Sequence, residues 1–354
     1  MTVIILGFND RDHLPEALRS VLAQRYGSFR VMFVDNASSD GSIDLVKVHF
    51  PQVETVHLHR NIGYAGAYAM VLPRAFGDGC DCAVLLNADV SVEPDWLNEL
   101  VRSAHAHPSI GFAQPKILLW DGHRLNSFGN HINYLGFGYC GHCNEEDSQA
   151  FDFDREAPFV SGASMLVKRD AYLDSGGIDA SFFNYVEDQD LVWRGRMLGW
   201  RSVVSARSRM RHKYQFLNPA RNSRKMYWYE LNRMRFVLQN YSAVMLVLIL
   251  PAFCAMEALV LVHSALNGYL SQKCAAYLDL ARMWPIVRDK RRQIQQSRKV
   301  SDRMLIQWLS TSIEFPGLGV RPGLAAVNGA LSLYFALVKA CLRLSAWAWL
   351  QRSK

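Results

Sequence analysis

Four short apolar runs recur over the first 90 residues, around Val3-Ile4-Ile5-Leu6, Val31-Met32-Phe33-Val34, Val53–Leu58 and Ala83-Val84-Leu85-Leu86. Each stops at a polar cluster: Asn9-Asp10, Asp35-Asn36, Asn61 and Asn87-Ala88-Asp89. Between the runs lie stretches of helical periodicity. Strands buried on both faces of a parallel sheet need near-continuous apolar sequence, and the helices between them make the crossovers. The pattern predicts α/β structure with strands at 2–7, 30–34, 53–58 and 82–86 and helices at 12–23, 42–49, 65–76 and 95–105. In open α/β sheets the ligand crevice lies beyond the carboxyl ends of the strands. The four polar clusters are therefore expected to converge on one site.

Further along, residues 120–157 are rich in Gly, Asn and His and read as an irregular excursion or hairpin. Order is expected to return with a strand at 163–167, a Gly176-Gly177 turn, a helix at about 188–198 and a strand near 201–205. After Tyr214 the character changes: a basic, aromatic helix over 221–240, long apolar helices over 243–266 and 323–350, and a strongly basic segment over 282–303. This places a domain boundary at 215/216. Charge divides at nearly the same place, since residues 1–200 carry 15 Lys+Arg against 26 Asp+Glu and residues 201–354 carry 24 against 6. A basic half interleaved with apolar runs suits an anionic membrane surface better than nucleic acid. The seven cysteines are odd in number and lack framework spacing, which fits a reducing compartment. Cys140-Gly141-His142-Cys143 has no second Cys-x-x-C at finger spacing, so free thiols are expected there rather than zinc. The opening Thr2–Leu6 run reaches polar residues without a basic region or cleavage site, and no cleavable signal peptide is expected.

Three constellations carry chemistry. A carboxylate at Asp35, in Val34-Asp35-Asn36-Ala37-Ser38-Ser39-Asp40-Gly41-Ser42, sits where it can accept the imide N–H of uracil or thymine, though the same stretch also suits an Asx turn and a helix cap. Asp89, in Asn87-Ala88-Asp89, can share a divalent cation with a diphosphate, or cap the turn before Pro94. Glu187, Asp188 and Asp190 crowd one helix start, where the dipole favours ionised carboxylates. An ionised carboxylate beside an acceptor hydroxyl is what a general base requires.

Taken in order with Val3–Asn9, Arg60-Asn61-Ile62-Gly63-Tyr64-Ala65-Gly66-Ala67, Gly162-Ala163 and Gly176-Gly177-Ile178-Asp179, these stretches resemble the family 2 glycosyltransferases of GT-A fold, particularly the bacterial rhamnosyltransferase-like branch. The resemblance covers about residues 2–215. It implies a Rossmann-like, mostly parallel sheet flanked by helices, with a donor-binding part (1–120) and an acceptor and catalytic part (120–215). It places Asp35 on the nucleotide base with Phe8 and Asn9 beside it, and the Asn61–Gly63 loop and Asn87 along the donor. It assigns Asp89 and His212 to a Mg or Mn ion, Asp188 to the catalytic base, and Gly162 and Glu187 to the acceptor side. Two positions depart from the pattern: Asn87 stands where relatives carry a second aspartate, and Leu231-Asn232-Arg233 replaces an Arg-Asn pair.

The expected activity is inverting transfer from a nucleotide-diphosphate sugar, dTDP-rhamnose or a UDP-sugar being favoured, to a glycan acceptor linked to polyprenyl diphosphate, at the cytoplasmic face of the inner membrane. A nucleotidyltransferase would show a Gly-rich basic phosphate loop after the first strand, and Gly7-Phe8-Asn9-Asp10-Arg11 is not one. A silent sugar-binding module would have no use for both Asp89 and Asp188. The run from Ala243 to Leu266 exceeds the about 20 apolar residues a span needs, but a single span would put the basic 282–303 segment on the far side, against the positive-inside tendency. Helices lying in the membrane interface satisfy both constraints, while two core helices packed on the catalytic domain would show the same apolar patterning.

Overall fold

A computed structural model describes residues 1–214, 223–314 and 322–352. Arg221 and the 215/216 boundary lie outside them. The chain divides into two compact units, one of Met1–Asn130, Cys140–Gly195 and Gly199–Gln215, the other of His131–Tyr139, Arg196–Leu198 and Phe216–Lys354.

The first unit is built on a ten-stranded sheet. Its strands are β1 (Thr2–Gly7), β2 (Arg30–Asp35), β3 (Glu54–His57), β4 (Cys82–Asn87), β5 (Val90–Val92), β6 (Ile110–Leu119) and β7 (Leu125–Ser127), then, after a pair belonging to the other unit (β8, Asn130–Asn133; β9, Gly138–Cys140), β10 (Arg155–Glu156), β11 (Ser164–Lys168) and β12 (Arg201–His212). The order is β10-β12-β6-β11-β4-β1-β2-β3, with β5 on β12 and β7 on β6. Strands β4, β1, β2 and β3 run parallel, β6 and β12 run parallel, and β11 lies antiparallel between the two groups. The apolar runs read from the sequence are these strands: Val3, Ile4, Ile5, Met32, Phe33, Val34 and Ala83–Leu86 are wholly enclosed, as burial on both faces demands. Helices α1 (Leu14–Leu22), α2 (Ser42–His49), α3 (Gly63–Gly77), α4 (Trp96–His105), α5 (Arg169–Asp174) and α6 (Glu187–Leu198) connect them. One long strand, β6, is absent from the sequence reading because Gly111, Gln114, Pro115 and Lys116 break its apolar pattern. Proline has no N–H for the ladder, and the β6–β12 register slips between Ser205 and Arg209, beside Pro115.

The second unit is helical, with α7 (Ser223–Asn240), α8 (Ala243–Leu266), α9 (Leu270–Arg282), α10 (Trp284–Ser297), α11 (Asp302–Leu305) and α12 (Pro322–Arg352), plus a small sheet in which β13 (Leu309–Ser310) joins β8 and β9. Its centre is ionic. Glu230 and Arg233 of α7, Glu257 of α8 and Lys273 of α9 form one closed network: Arg233 reaches both carboxylates, and Lys273 Nζ lies 2.6 Å from Glu230 and 2.7 Å from Glu257. Burial works against the Glu257 carboxylate, but Arg233 and Lys273 pull it down to about 2. On its outer side α8 exposes Val244, Val247, Leu250, Leu259, Val262 and Leu266, a stripe at helical spacing. By length and composition Ala243–Leu266 and Gly323–Arg343 could each cross a membrane.

Candidate active site

Strands β1, β2 and β3 end level with one another, Gly7 opposite Asp35 and Asp35 opposite His57. Asn9 adopts a left-handed turn at φ 59°. Its N–H donates to Ser38 Oγ and its Oδ1 accepts from Ser39 N, both at 2.9 Å. Ser38 N in turn donates to Asp35 Oδ1 at 3.1 Å. Phe8 stands 46 % exposed at this edge. Asn36 pins the next loop by accepting from Ile62 N at 3.0 Å and donating to Asn61 Oδ1 at 3.1 Å, while Asn61 Oδ1 also accepts from Gly63 N. Gly63 has φ 76°, and a Cβ there would sit 2.2 Å from the Phe183 carbonyl oxygen, so only glycine fits. Asp35, expected to face a base directly, is fully enclosed, its second oxygen 2.7 Å from His57 Nδ1.

The second cluster forms where β4 and β12 end. The β5–β12 pairing sets His212 opposite Val90, which puts His212 Nε2 3.3 Å from Asp89 Oδ1 and 3.5 Å from Asn87 Nδ2. Buried Asn126 of β7 lies 2.9 Å from the other ring nitrogen, Nδ1. Its Oδ1 only accepts, so Nδ1 carries a proton, which fixes the ring with Nε2 turned toward Asp89. Burial raises the Asp89 carboxyl, but hydrogen bonding and charge from His212 outweigh it and hold the group below its ordinary value. Among the described residues no group of three or more His, Cys, Asp or Glu could hold a metal ion. An anionic oxygen and an imidazole nitrogen 3.3 Å apart nevertheless suit Mg or Mn, which takes few protein ligands when phosphate oxygens fill the remaining positions. Lys213 follows, its N–H on the Asp89 carbonyl, its Nζ 3.1 Å from His13 Nδ1 and 4.5 Å from the centre of the Trp120 ring.

The third cluster is the start of α6. Phe183, Tyr185 and Val186 precede it with φ of 59°, 70° and 72°, a conformation that costs a β-branched residue such as Val186 about 1–3 kcal/mol and is held only where the surroundings enforce it. The three acids that follow have different fates. Asp190 pairs with Arg194, both buried, at 2.8 Å, and Arg194 also donates to the carbonyls of Ser175 and Gly177. Glu187 is 6 % exposed with Oε2 lacking any hydrogen bond. Asp188 is partly exposed, with Oδ2 accepting from Gly162 N at 2.8 Å and Oδ1 from Gln189 N at 2.7 Å. Burial raises the Asp188 carboxyl against the pull of those N–H groups. Glu187 is driven well above its ordinary value by burial and by the Asp188 charge. Gly162 is needed for this approach, since a Cβ would lie 2.7 Å from Tyr64 Oη, which donates to the Gly162 carbonyl. Asn87 N donates to the Ala163 carbonyl at 3.0 Å, so the Asp188 anchor lies one residue from the end of β4. Burial raises the Cys140 thiol to about 12 and that of Cys143 to about 11, which keeps both inert.

His57, Asn126 and Lys213 were not singled out from the sequence. A lone His or Asn carries no signal there, because what makes each notable is a partner 22 to 200 residues away. Lys213, next to His212 in the motif, was the one that could have been found.

A mixed sheet with acidic clusters at its carboxyl edge is the GT-A glycosyltransferase fold. Solved structures of that class superpose on the chain: the mannosyltransferase PcManGT from Pyrobaculum calidifontis in complex with GDP-Man and Mn2+ (TM-score 0.50, 17% identity, covering 100% of this chain and 87% of that one), and GalNAc-T7 with UDP, GalNAc and Mn2+ (TM-score 0.51, 15% identity, 68% of this chain), of which the chain spans about half the length, 48%. The model of glycosyl transferase family 2 matches residues 2–173, and an N-acetylglucosaminyl-diphospho-decaprenol L-rhamnosyltransferase of Mycobacterium tuberculosis is 24% identical over 231 residues, 60% of this chain and 75% of the relative. Residues 2–173, just under half of the chain, thus match the family 2 glycosyltransferases.

Proposed function

We propose that the chain is an inverting glycosyltransferase that moves a sugar from a nucleotide-diphosphate donor, dTDP-rhamnose or a UDP-sugar, to a polyprenyl-diphosphate-linked glycan in cell-surface polysaccharide synthesis. The observation that carries this reading is the spacing of roles along one edge: the Asp89–His212 pair at the end of β4 and the anchored, partly exposed Asp188 joined to it through Gly162, Ala163 and Asn87. With Asp190 tied to Arg194 and Glu187 enclosed, Asp188 is the acid of the three that an acceptor can reach. It takes the proton of the acceptor hydroxyl as that oxygen bonds to the anomeric carbon; the carbon–oxygen bond to the diphosphate breaks, and its electron pair leaves with the nucleotide. A single displacement of this kind inverts the anomeric centre. Asp89 and His212 would hold the divalent cation, which when bound neutralises charge on the departing diphosphate. Lys213, beside them, supplies a fixed positive charge.

The exposed apolar stripe of α8 and the exposed Arg288 and Arg292 of α10 support attachment to the cytoplasmic membrane surface. A decaprenol-linked acceptor in the mycobacterial relative's name points the same way. Alkaline and high-salt washes of membranes should release part of the chain, and a wholly soluble chain would contradict attachment.

The test of the enzymatic reading is a thermal-shift screen of nucleotide sugars with Mg or Mn. A ligand at 100 times its Kd adds about 2.7 kcal/mol of stability. The matching donor should raise Tm in a metal-dependent way, and a panel with no effect would remove the nucleotide-sugar reading.

A further inference from the structure

We infer that Tyr64 is a positioning residue for the reaction: its hydroxyl fixes the Gly162 peptide that holds the Asp188 carboxylate in place. This rests on the reading of Asp188 as the base, and it carries the support of that base back into the helix that begins at the donor-side loop.

Tyr64 follows Gly63 in the first turn of α3. Residues four apart share a helix face, and the Tyr64 and Tyr68 rings meet with centroids 4.6 Å apart. Tyr68 is fully enclosed; its hydroxyl lies 3.1 Å from the Ile4 carbonyl of β1 and accepts from Leu86 N of β4 at 3.0 Å. The half-buried Tyr64 ring therefore rests on a neighbour tied to the sheet. From there its hydroxyl donates to the Gly162 carbonyl at 2.6 Å, at the short end of the range for such bonds. Burial first, then the Tyr68, Glu187 and Asp188 side chains, hold the Tyr64 hydroxyl well above its ordinary value, so it keeps its proton and remains a donor.

What this bond holds is a residue without stiffness of its own. Glycine has the widest choice of backbone conformations, and Gly162 N must point at Asp188 Oδ2, 2.8 Å away. A Cβ on Gly162 would lie 2.7 Å from Tyr64 Oη and 3.4 Å from Asp188 Oδ2, so hydroxyl and carboxylate both stand where a side chain would be. The same turn of α3 grips the other approach to Asp188: Ala65 N donates to the Phe183 carbonyl at 3.0 Å, in the left-handed stretch just ahead of α6. Tyr64 could instead serve only to dock α3 on the sheet. The two roles separate at the carboxylate. Burial raises the Asp188 carboxyl and the Gly162 N–H pulls against it, so a loosened Gly162 lets the group titrate at higher pH, whereas a lost docking contact changes stability alone.

The experiment is a ¹³C carboxyl titration of the full chain labelled at aspartate, with the Asp188 resonance assigned by its loss in Asp188→Asn, repeated in Tyr64→Phe and Gly162→Ala. Phenylalanine keeps the ring on Tyr68 and removes the hydroxyl; alanine keeps the hydroxyl and displaces it from the carbonyl. In both variants Asp188 should titrate at higher pH. In Mn2+-dependent hydrolysis of dTDP-rhamnose, Tyr64→Phe should lower kcat roughly 3- to 10-fold, the worth of one hydrogen bond, while KM stays within about twofold. An Asp188 titration unmoved in Tyr64→Phe, or one that moves with kcat unchanged, would overturn the inference. Should Tyr64→Phe lose its fold, Gly162→Ala decides by the same two readings. Should the unaltered chain leave dTDP-rhamnose intact, the titration decides alone and that donor is struck from the reading above. Turnover retained in Asp188→Asn would remove the base, and this inference with it, whatever the titration of Tyr64→Phe shows.

Discussion

Glu230, Arg233, Glu257 and Lys273 in the helical unit and Glu187 and Asp188 in the sheet unit are ionisable groups wholly or partly withdrawn from water, and they are treated differently. In the first set two acids face two bases, and every carboxylate touches both cations. In the second two acids stand side by side, no salt bridge among the described residues reaches either, and one Glu187 oxygen has no hydrogen bond. Closed valence holds helices together; open valence leaves a group able to take a proton from something else. The difference separates an ion cluster that closes on itself from a pair with room for a proton, which is why Asp188 is the residue proposed as the base.

That distinction breaks most visibly in the helical unit. Glu257→Ala leaves Arg233 and Lys273 buried against a single carboxylate and should cost about 3–5 kcal/mol of stability by denaturant unfolding. A loss under 1 kcal/mol would mean the network is not closed as described. Next in size, Asn126→Ala removes the acceptor that sets the His212 ring, and Mn2+ affinity should fall by roughly 10- to 100-fold in calorimetry, with Asn126→Asp recovering most of it; equal affinity in all three would detach Asn126 from His212. The smallest effect sharpens the comparison through pH. Both Glu187 and Asp188 are raised above their ordinary values, so the folded chain holds those protons more tightly than the unfolded one. The stability this confers is complete below the ordinary carboxylate range and is lost as pH rises through the raised values. Glu187→Gln should therefore gain Tm relative to the unaltered chain as pH increases from 5 to 8, and a difference independent of pH would show that the pair is not strained by its charges.

How far each part was legible in the sequence follows from how local its cause is. Strands β1, β2 and β4 could be read because burial on both faces writes a continuous apolar run. Strand β6 could not, since Pro115 and Lys116 sit inside it and are tolerated only because Lys116 finds Asp147 at 2.8 Å and the register slips beside the proline. Asp89 and Asp188 stood out as acids at element ends. The meeting of Asp89 with His212 depends on β5 pairing with β12, and the enclosure of Asp35 depends on which residue ends β3. Asp190 and Asp188 look alike in Glu187-Asp188-Gln189-Asp190, and only the turn that brings Arg194 onto Asp190 tells them apart.

The central claim is that Asp188 is left open to accept a proton, and one variant tests it. Asp188→Asn keeps the side chain's shape and an oxygen for the Gly162 N–H but removes the base. With the matching nucleotide sugar, transfer to acceptor should fall by roughly 10²- to 10⁴-fold while donor binding to the same preparation stays within about threefold. Near-normal transfer by the Asn variant would contradict the account.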